Sequence, residues 1–309
     1  MTSLRNQLRD RIGWWVIGGA CVAVVAASKP AHAAPALDLL YERTVMVAAD
    51  DRCGLFSPPI AAALDASRLQ ARGAALRAGA RPETLAETER RARSKAAGAA
   101  CGSPDLKVAA GRVRGAFEGY ARLIRMEYPG EVAGWSADRS TSKQGDRWKL
   151  SQGSVFGWDR LRFGLAGQAG PPTLTAVAVF NDAAAPYAAR LVMRDVTRTS
   201  GPYLDHRGKA KGGKLALSAR TPPRSASRVF TAGGRGPAGP MLLPAGAKAG
   251  WSFRFPPAAS AALAGLDPRE AVMVEFVFAG PKGREVVRTA HIEVGDFAAG
   301  RAFLAAGGR

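Results

Sequence analysis

A change of period near residue 130 sets what this chain can fold into. Before it, apolar residues recur at three- and four-residue steps, and after Gly134 short apolar runs are broken by Gly, Pro, Ser and Asp. Helical spacing first and strand spacing later predict an α+β protein. The expectation is a disulfide-closed helical bundle over residues 34–130, then an antiparallel β-sandwich-like domain over 131–309 with a short C-terminal helix.

Four helices are expected in the first half. Leu37, Leu40, Tyr41, Thr44, Val45 and Ala48 share one face of a helix ending near Arg52, and Pro58-Pro59 opens a second that runs to about Gly79. Pro82 suits the first turn of a third, where its missing N–H costs nothing. Glu87–Arg91 and Glu89–Arg93 then have the i,i+4 spacing of a solvated face. Ser103 and Pro104 supply an N-cap and an N1 proline for a fourth helix. Its stripe is Leu106, Ala109, Val113, Phe117, Tyr120 and Ile124, stopped by Tyr128-Pro129-Gly130.

The second half predicts strands at 147–151, 160–165, 174–180, 189–196, 214–219, 228–231, 251–255, 272–278 and 285–294. Residues 187–199 satisfy a helix equally well. The last two strands form a hairpin across Gly280–Gly283. If Ala279 pairs with Arg284, Glu275 faces Arg288 and His291 faces Val272, on the more apolar face. Residues 295–304 suit a terminal helix whose Phe297 and Phe303 pack back.

Residues 1–33 read as an export leader. Arg5, Arg9 and Arg11 against Asp10 precede an uncharged run, 12–27, and Ala31-His32-Ala33 offers small residues where a signal peptidase reads them. Cleavage between Ala33 and Ala34 would deliver the chain to a periplasm. The alternative is retention in the inner membrane by residues 12–28. Lipidation at Cys21 fits less well, because Gly18 stands where a bulky aliphatic residue is wanted. Loss of Cys21 with the leader leaves Cys53 and Cys101, which an oxidising compartment pairs. One follows the first helix and the other closes the third, at one pole of an up-down bundle. A bridge there would stabilise by roughly 4 kcal/mol on the chain-entropy model.

The formal charge of the whole chain is +19. Removing residues 1–33 takes away four basic residues and one acid, leaving +16. Such basicity usually points to phosphates; in an exported chain it points away from nucleic acid and toward anionic envelope polymers or an acidic protein. Arg-rich coding composition is the bland alternative. Residues 190–235 hold eleven Lys or Arg against Asp195 and Asp205. Within them, Arg207, Lys209, Lys211 and Lys214 form a glycine-rich cationic loop, the expected anion contact.

Motifs that imitate chemistry fail in context. Gly208–Lys214 matches G-x-x-x-x-G-K, but Leu215 replaces the magnesium-binding hydroxyl. Gly234–Gly239 matches G-x-G-x-x-G, but Pro240 and Pro244 interrupt the helix that should follow. Ser140–Lys143 matches S-x-x-K with no helical pattern around it. After the leader only His206 and His291 remain, too few for a multi-histidine metal site. No cofactor and no catalytic residue is expected. The reading is a non-enzymatic envelope binding or structural protein, with a hydrolase of envelope polymers near His206 or Asp205 as the alternative.

Overall fold

Proline opens three of the four N-terminal helices, where a fixed φ and a missing donor both suit the first turn. The helices are α1 (Ala33–Cys53), α2 (Pro58–Arg77), α3 (Pro82–Ala97) and α4 (Pro104–Arg122). The computed structural model describes residues 33–141, 144–168, 170–205 and 214–306. The leader reading therefore lies outside the described residues, apart from Ala33 and Ala34, which open α1.

Ser103 caps α4 by accepting the Leu106 N–H at 3.3 Å, and a disulfide joins Cys53 to Cys101 with Cα atoms 5.6 Å apart. The bridge ties the end of α1 to the segment after α3. Two apolar clusters lie among these helices: Leu40, Ala75, Leu76 and Leu85 form one, and Met46, Ala49, Leu64 and Leu106 belong to the other.

Two antiparallel sheets follow. The seven-stranded sheet runs β1 (Arg125–Tyr128), β2 (Trp135–Asp138), β3 (Arg147–Phe156), β4 (Asp159–Gly167), β5 (Thr173–Val179), β9 (Trp251–Arg254) and β8 (Gly234–Pro237) in spatial order. The four-stranded sheet runs β11 (Glu285–Glu293), β10 (Ala271–Ala279), β6 (Ala188–Arg194) and β7 (Ser227–Thr231). Helix α5 (Pro257–Ala264) follows β9, and α6 (Phe297–Ala306) ends the described chain.

One cluster joins both sheets to α6. It holds Trp135, Leu150 and Phe163 from the larger sheet, Leu191, Val274 and Phe276 from the smaller, and Phe297 and Phe303. Phe156 stacks on Phe276 between the sheets at 5.7 Å. Helix α6 also packs against α2, where Arg77 holds Asp296 through two hydrogen bonds of 2.9 and 2.8 Å. The fully buried Glu293 accepts the N–H groups of Glu131, Val132 and Ala133, each at 2.8 Å. Three backbone donors satisfy that carboxylate, and among the described residues no cation pairs with it.

Several expectations are corrected. The fourth helix ends at Arg122, and residues expected to extend it form β1; extended backbone lets Tyr128 enter the core opposite Trp135. Ile124 is exposed rather than part of a buried stripe. In α3, Glu87 pairs with Arg90, and Glu89 reaches Arg72 of α2 at 3.4 Å, so part of the expected solvated face lies against a neighbouring helix.

Residues 214–219 form no strand; Leu217–Arg220 is a 3-10 turn, closed by the buried Arg220 guanidinium on the Leu215 carbonyl at 2.9 and 2.7 Å. The last hairpin has five turn residues instead of four. Gly280 N–H bonds Arg284 C=O at 2.8 Å, and Ala279 pairs with Glu285. That one extra residue moves His291 opposite Met273, onto the face away from the shared core.

Candidate functional site: a cationic groove on the larger sheet

The stretch 190–235 carries a net charge of +9, more than half of what remains after the leader, yet most of its described cations are already engaged. Arg190 pairs with Glu285 at 2.9 Å, Arg194 with Glu270 at 2.5 Å, Arg198 with Asp195 at 3.2 Å and Arg220 with Glu131 at 2.6 Å. Arg224 binds the buried Glu275. Arg235 lies over the Trp251 ring at 3.9 Å and Arg228 over Phe230 at 4.7 Å. Lys214 is exposed, and its ammonium donates to the Glu131 carbonyl at 3.0 Å. Arg207, Lys209 and Lys211 lie outside the described residues, as does His206.

A different set of cations converges on the outward face of the larger sheet. In β4, Leu161, Phe163 and Leu165 point into the core, so strand alternation turns Arg162 outward. The same rule places Ser136 and Asp138 of β2 outward, because Trp135 and Ala137 point in. Antiparallel pairing of β1 through β4 then brings Arg125, Arg147 and Arg162 to one groove of about 340 Å³, with Glu127, Asp138 and Ser151.

The three guanidiniums differ in their surroundings. Arg125 donates to Asp138 at 3.0 Å, and Arg147 approaches the same carboxylate at 3.9 Å. Burial alone would raise the Asp138 carboxyl. Hydrogen bonds from the Ser140 hydroxyl and amide, and from Arg125, outweigh it and hold the group below the ordinary carboxylate range. Glu127 accepts from the Ser136 hydroxyl at 2.6 Å.

Arg162 has no such counter-ion: among the described residues no carboxylate lies within 4 Å of it. Its Nε and one terminal nitrogen both donate to Ser151 Oγ at 3.1 Å, and its guanidinium carbon lies 5.4 Å from the Trp148 ring centre. Partial burial lowers its pKa. The serine fixes one edge of the fork and leaves the other nitrogen for a ligand, an arrangement suited to a carboxylate or phosphate oxygen.

Trp148 is held from beneath by its own N–H bond to the Leu242 carbonyl at 3.0 Å. It is buried, so it forms the floor of the groove and offers no open stacking platform.

Nothing else among the described residues assembles into chemistry. No three His, Cys, Asp or Glu side chains converge as a metal site. Ser140, the serine of the S-x-x-K match, donates its amide to Asp138 at 2.7 Å in a loop. Gly234–Pro237 of the G-x-G-x-x-G match is the edge strand β8. His291 is half-buried, and that burial lowers its pKa.

The groove is hard to read from the sequence because its cations are scattered: Arg147 and Lys149, and Arg160 and Arg162, alternate in two of the expected strands, and of these Arg147 and Arg162 line it. No helix among the described residues is long and apolar enough to cross a membrane. No family model matches the chain, and neither a curated protein nor a solved structure matches it.

Proposed function

We propose that the chain is an exported binding protein of the cell envelope, and that the groove around Arg162 receives a carboxylate or phosphate of an anionic envelope component. The observation that carries this reading is a half-buried guanidinium without an acid partner among the described residues, fixed by Ser151 beside two further arginines. Placing a cation in partial burial costs solvation energy, and an anionic ligand would return it. The glycine-rich stretch with Arg207, Lys209, Lys211 and Lys214 would add a second cationic contact for a polymeric ligand.

The architecture behind this reading is a helical bundle over residues 34–130, apart from the β1 strand at Arg125–Tyr128, followed by a β-sandwich over residues 131–309. The aromatic stack between the sheets and the core they share support the sandwich. The Cys53–Cys101 bridge supports export, since such bonds persist in oxidising compartments.

The test is titration of the purified protein with lipopolysaccharide micelles and with peptidoglycan sacculi at low and high salt. Binding to one of them should weaken with salt, fall at least about ten-fold in Arg162→Gln, and fall further when Arg207, Lys209, Lys211 and Lys214 become Ser. Equal retention of Arg162→Gln and the wild type would remove the groove from the function.

A further inference from the structure

Strand β11 is an edge of the four-stranded sheet, and only half of its outer side is covered. The Glu293 N–H donates to Gln152 Oε1 at 2.8 Å, and the His291 carbonyl accepts from Ser154 Oγ at 3.0 Å. These residues therefore turn their main-chain groups away from β10. Alternation along the strand aims the groups of Thr289 and Val287 the same way, and among the described residues no hydrogen bond reaches them. Strand β3 covers the edge as far as His291 and leaves the next residues open.

The open part has an apolar wall and a cationic rim. The hairpin of β3 and β4 turns through Gly157 and Trp158 alone, and Gly157 has a φ of 61°, which favours glycine. This tight turn leaves Trp158 88 % and Val155 73 % exposed. Beside them lies a depression of about 460 Å³ lined by Phe156, Trp158, Asp182, Arg288 and Thr289. Val286 and Val287 are also exposed. Both acids nearest Arg288 are neutralised by it, Asp159 at 3.1 Å and Asp182 at 2.5 Å. Lys282 and Arg284, exposed in the neighbouring turn, enter no ion pair among the described residues.

We propose that the free edge at Val287–Thr289 receives an extended acidic segment of a partner protein as an added strand, with one of its apolar side chains against Trp158 and Phe156. Main-chain pairing supplies affinity and the aromatic depression supplies selectivity. Lys282 and Arg284 set the preferred charge. A second copy of this chain fits less well, because its own Lys282 and Arg284 would meet a rim of like charge. A lipid surface fits less well too, since the unmet main-chain groups would enter a medium that cannot bond them. The proposal is independent of the Arg162 groove.

The probe is a labelled octapeptide of alternating Glu and Val, with a Lys–Val octapeptide as control, titrated into the full protein by fluorescence anisotropy. Amide exchange is followed by NMR in parallel. Saturable binding of the acidic peptide with slowed exchange at Val287 and Thr289 is expected. Trp158→Ser should weaken it at least about ten-fold. Val287→Pro, which removes an N–H that β10 does not use, should abolish it while the thermal midpoint shows the sheet intact.

Four results would overturn the proposal: no exchange protection, equal binding of the basic peptide, self-association that protects the same amides without peptide, or a blue shift of Trp158 fluorescence on anionic vesicles alone.

Discussion

The two cationic regions of this protein have opposite relations to their sequence. Residues 190–235 are dense in arginine along the chain, but in space five of those arginines are matched to acids, four of which come from outside the stretch: Glu285, Glu270, Glu131 and Glu275. Arg125, Arg147 and Arg162 come from three different strands and meet in one groove, where Arg125 and Arg147 share the single carboxylate of Asp138 and Arg162 pairs with no acid among the described residues. Charge density along a chain is thus a poor guide to unspent charge on a surface. Where a member of the pair is buried the reason is energetic: Glu270 with Arg194, and Glu275 with Arg224, would be costly to leave unpaired.

The largest expected effect breaks the first region. Arg194 is 8 % and Glu270 1 % exposed, and burial already raises the Glu270 carboxyl against the pull of Arg194. Arg194→Ala should cost about 3–5 kcal/mol, because it strands a buried carboxylate. The sign with pH follows: a carboxyl with a raised folded pKa is relieved by protonation, so the loss should shrink as pH falls from 7 toward 4. Urea unfolding at the two pH values checks it, and a loss below about 1 kcal/mol at pH 7 would mean that the pairs of this region are incidental.

The matching change in the groove, Arg162→Gln, should cost about 1–2 kcal/mol, since hydrogen bonds to the buried Ser151 hydroxyl are lost but no carboxylate is stranded. A loss as large as that of Arg194→Ala would make Arg162 a structural residue like the others and erase the contrast.

A smaller effect comes from His291, on the outward face of β11 opposite Met273. Burial lowers its pKa from 6.5, so the unfolded chain takes up the proton more readily. Its contribution is complete above pH 6.5 and is lost as pH falls through the folded value. His291→Gln should flatten that part of the stability profile. An NMR titration of the imidazole with a midpoint at or above 6.5 would contradict the sign.

What the sequence made legible follows the range of the rule involved. Ser103-Pro104 announces α4 because an N-cap and an N1 proline act within a few residues, and Cys53 pairs with Cys101 because they are the two cysteines left after the leader and both lie at helix ends. Phe297 and Phe303 were placed in the core by their spacing. By contrast β8, Gly234–Pro237, has no strand propensity and exists because β9 pairs with it. The C-terminal hairpin was recognised, but its parity depended on one turn residue, Arg284, and that residue decided which face His291 occupies. The groove was illegible for the same reason on a larger scale: it needs three consecutive strand registers to be right at once.

The smallest expected effect sharpens the boundary between the two kinds of cation. Arg198 pairs with Asp195 at 3.2 Å, but its side chain is 67 % exposed, and Asp195 is held below the ordinary carboxylate range first by the Thr197 hydroxyl and amide, with Arg198 a lesser cause. Solvent screens such a pair, and ordering a long side chain offsets most of what remains. Arg198→Ala should therefore leave the urea midpoint unchanged within error and leave retention on envelope fractions unchanged as well, although Arg198 belongs to the charge-dense stretch. A clear loss of retention would mean that linear charge density does contribute to binding after all. That result would return the candidate contact to the 190–235 surface and away from Arg162.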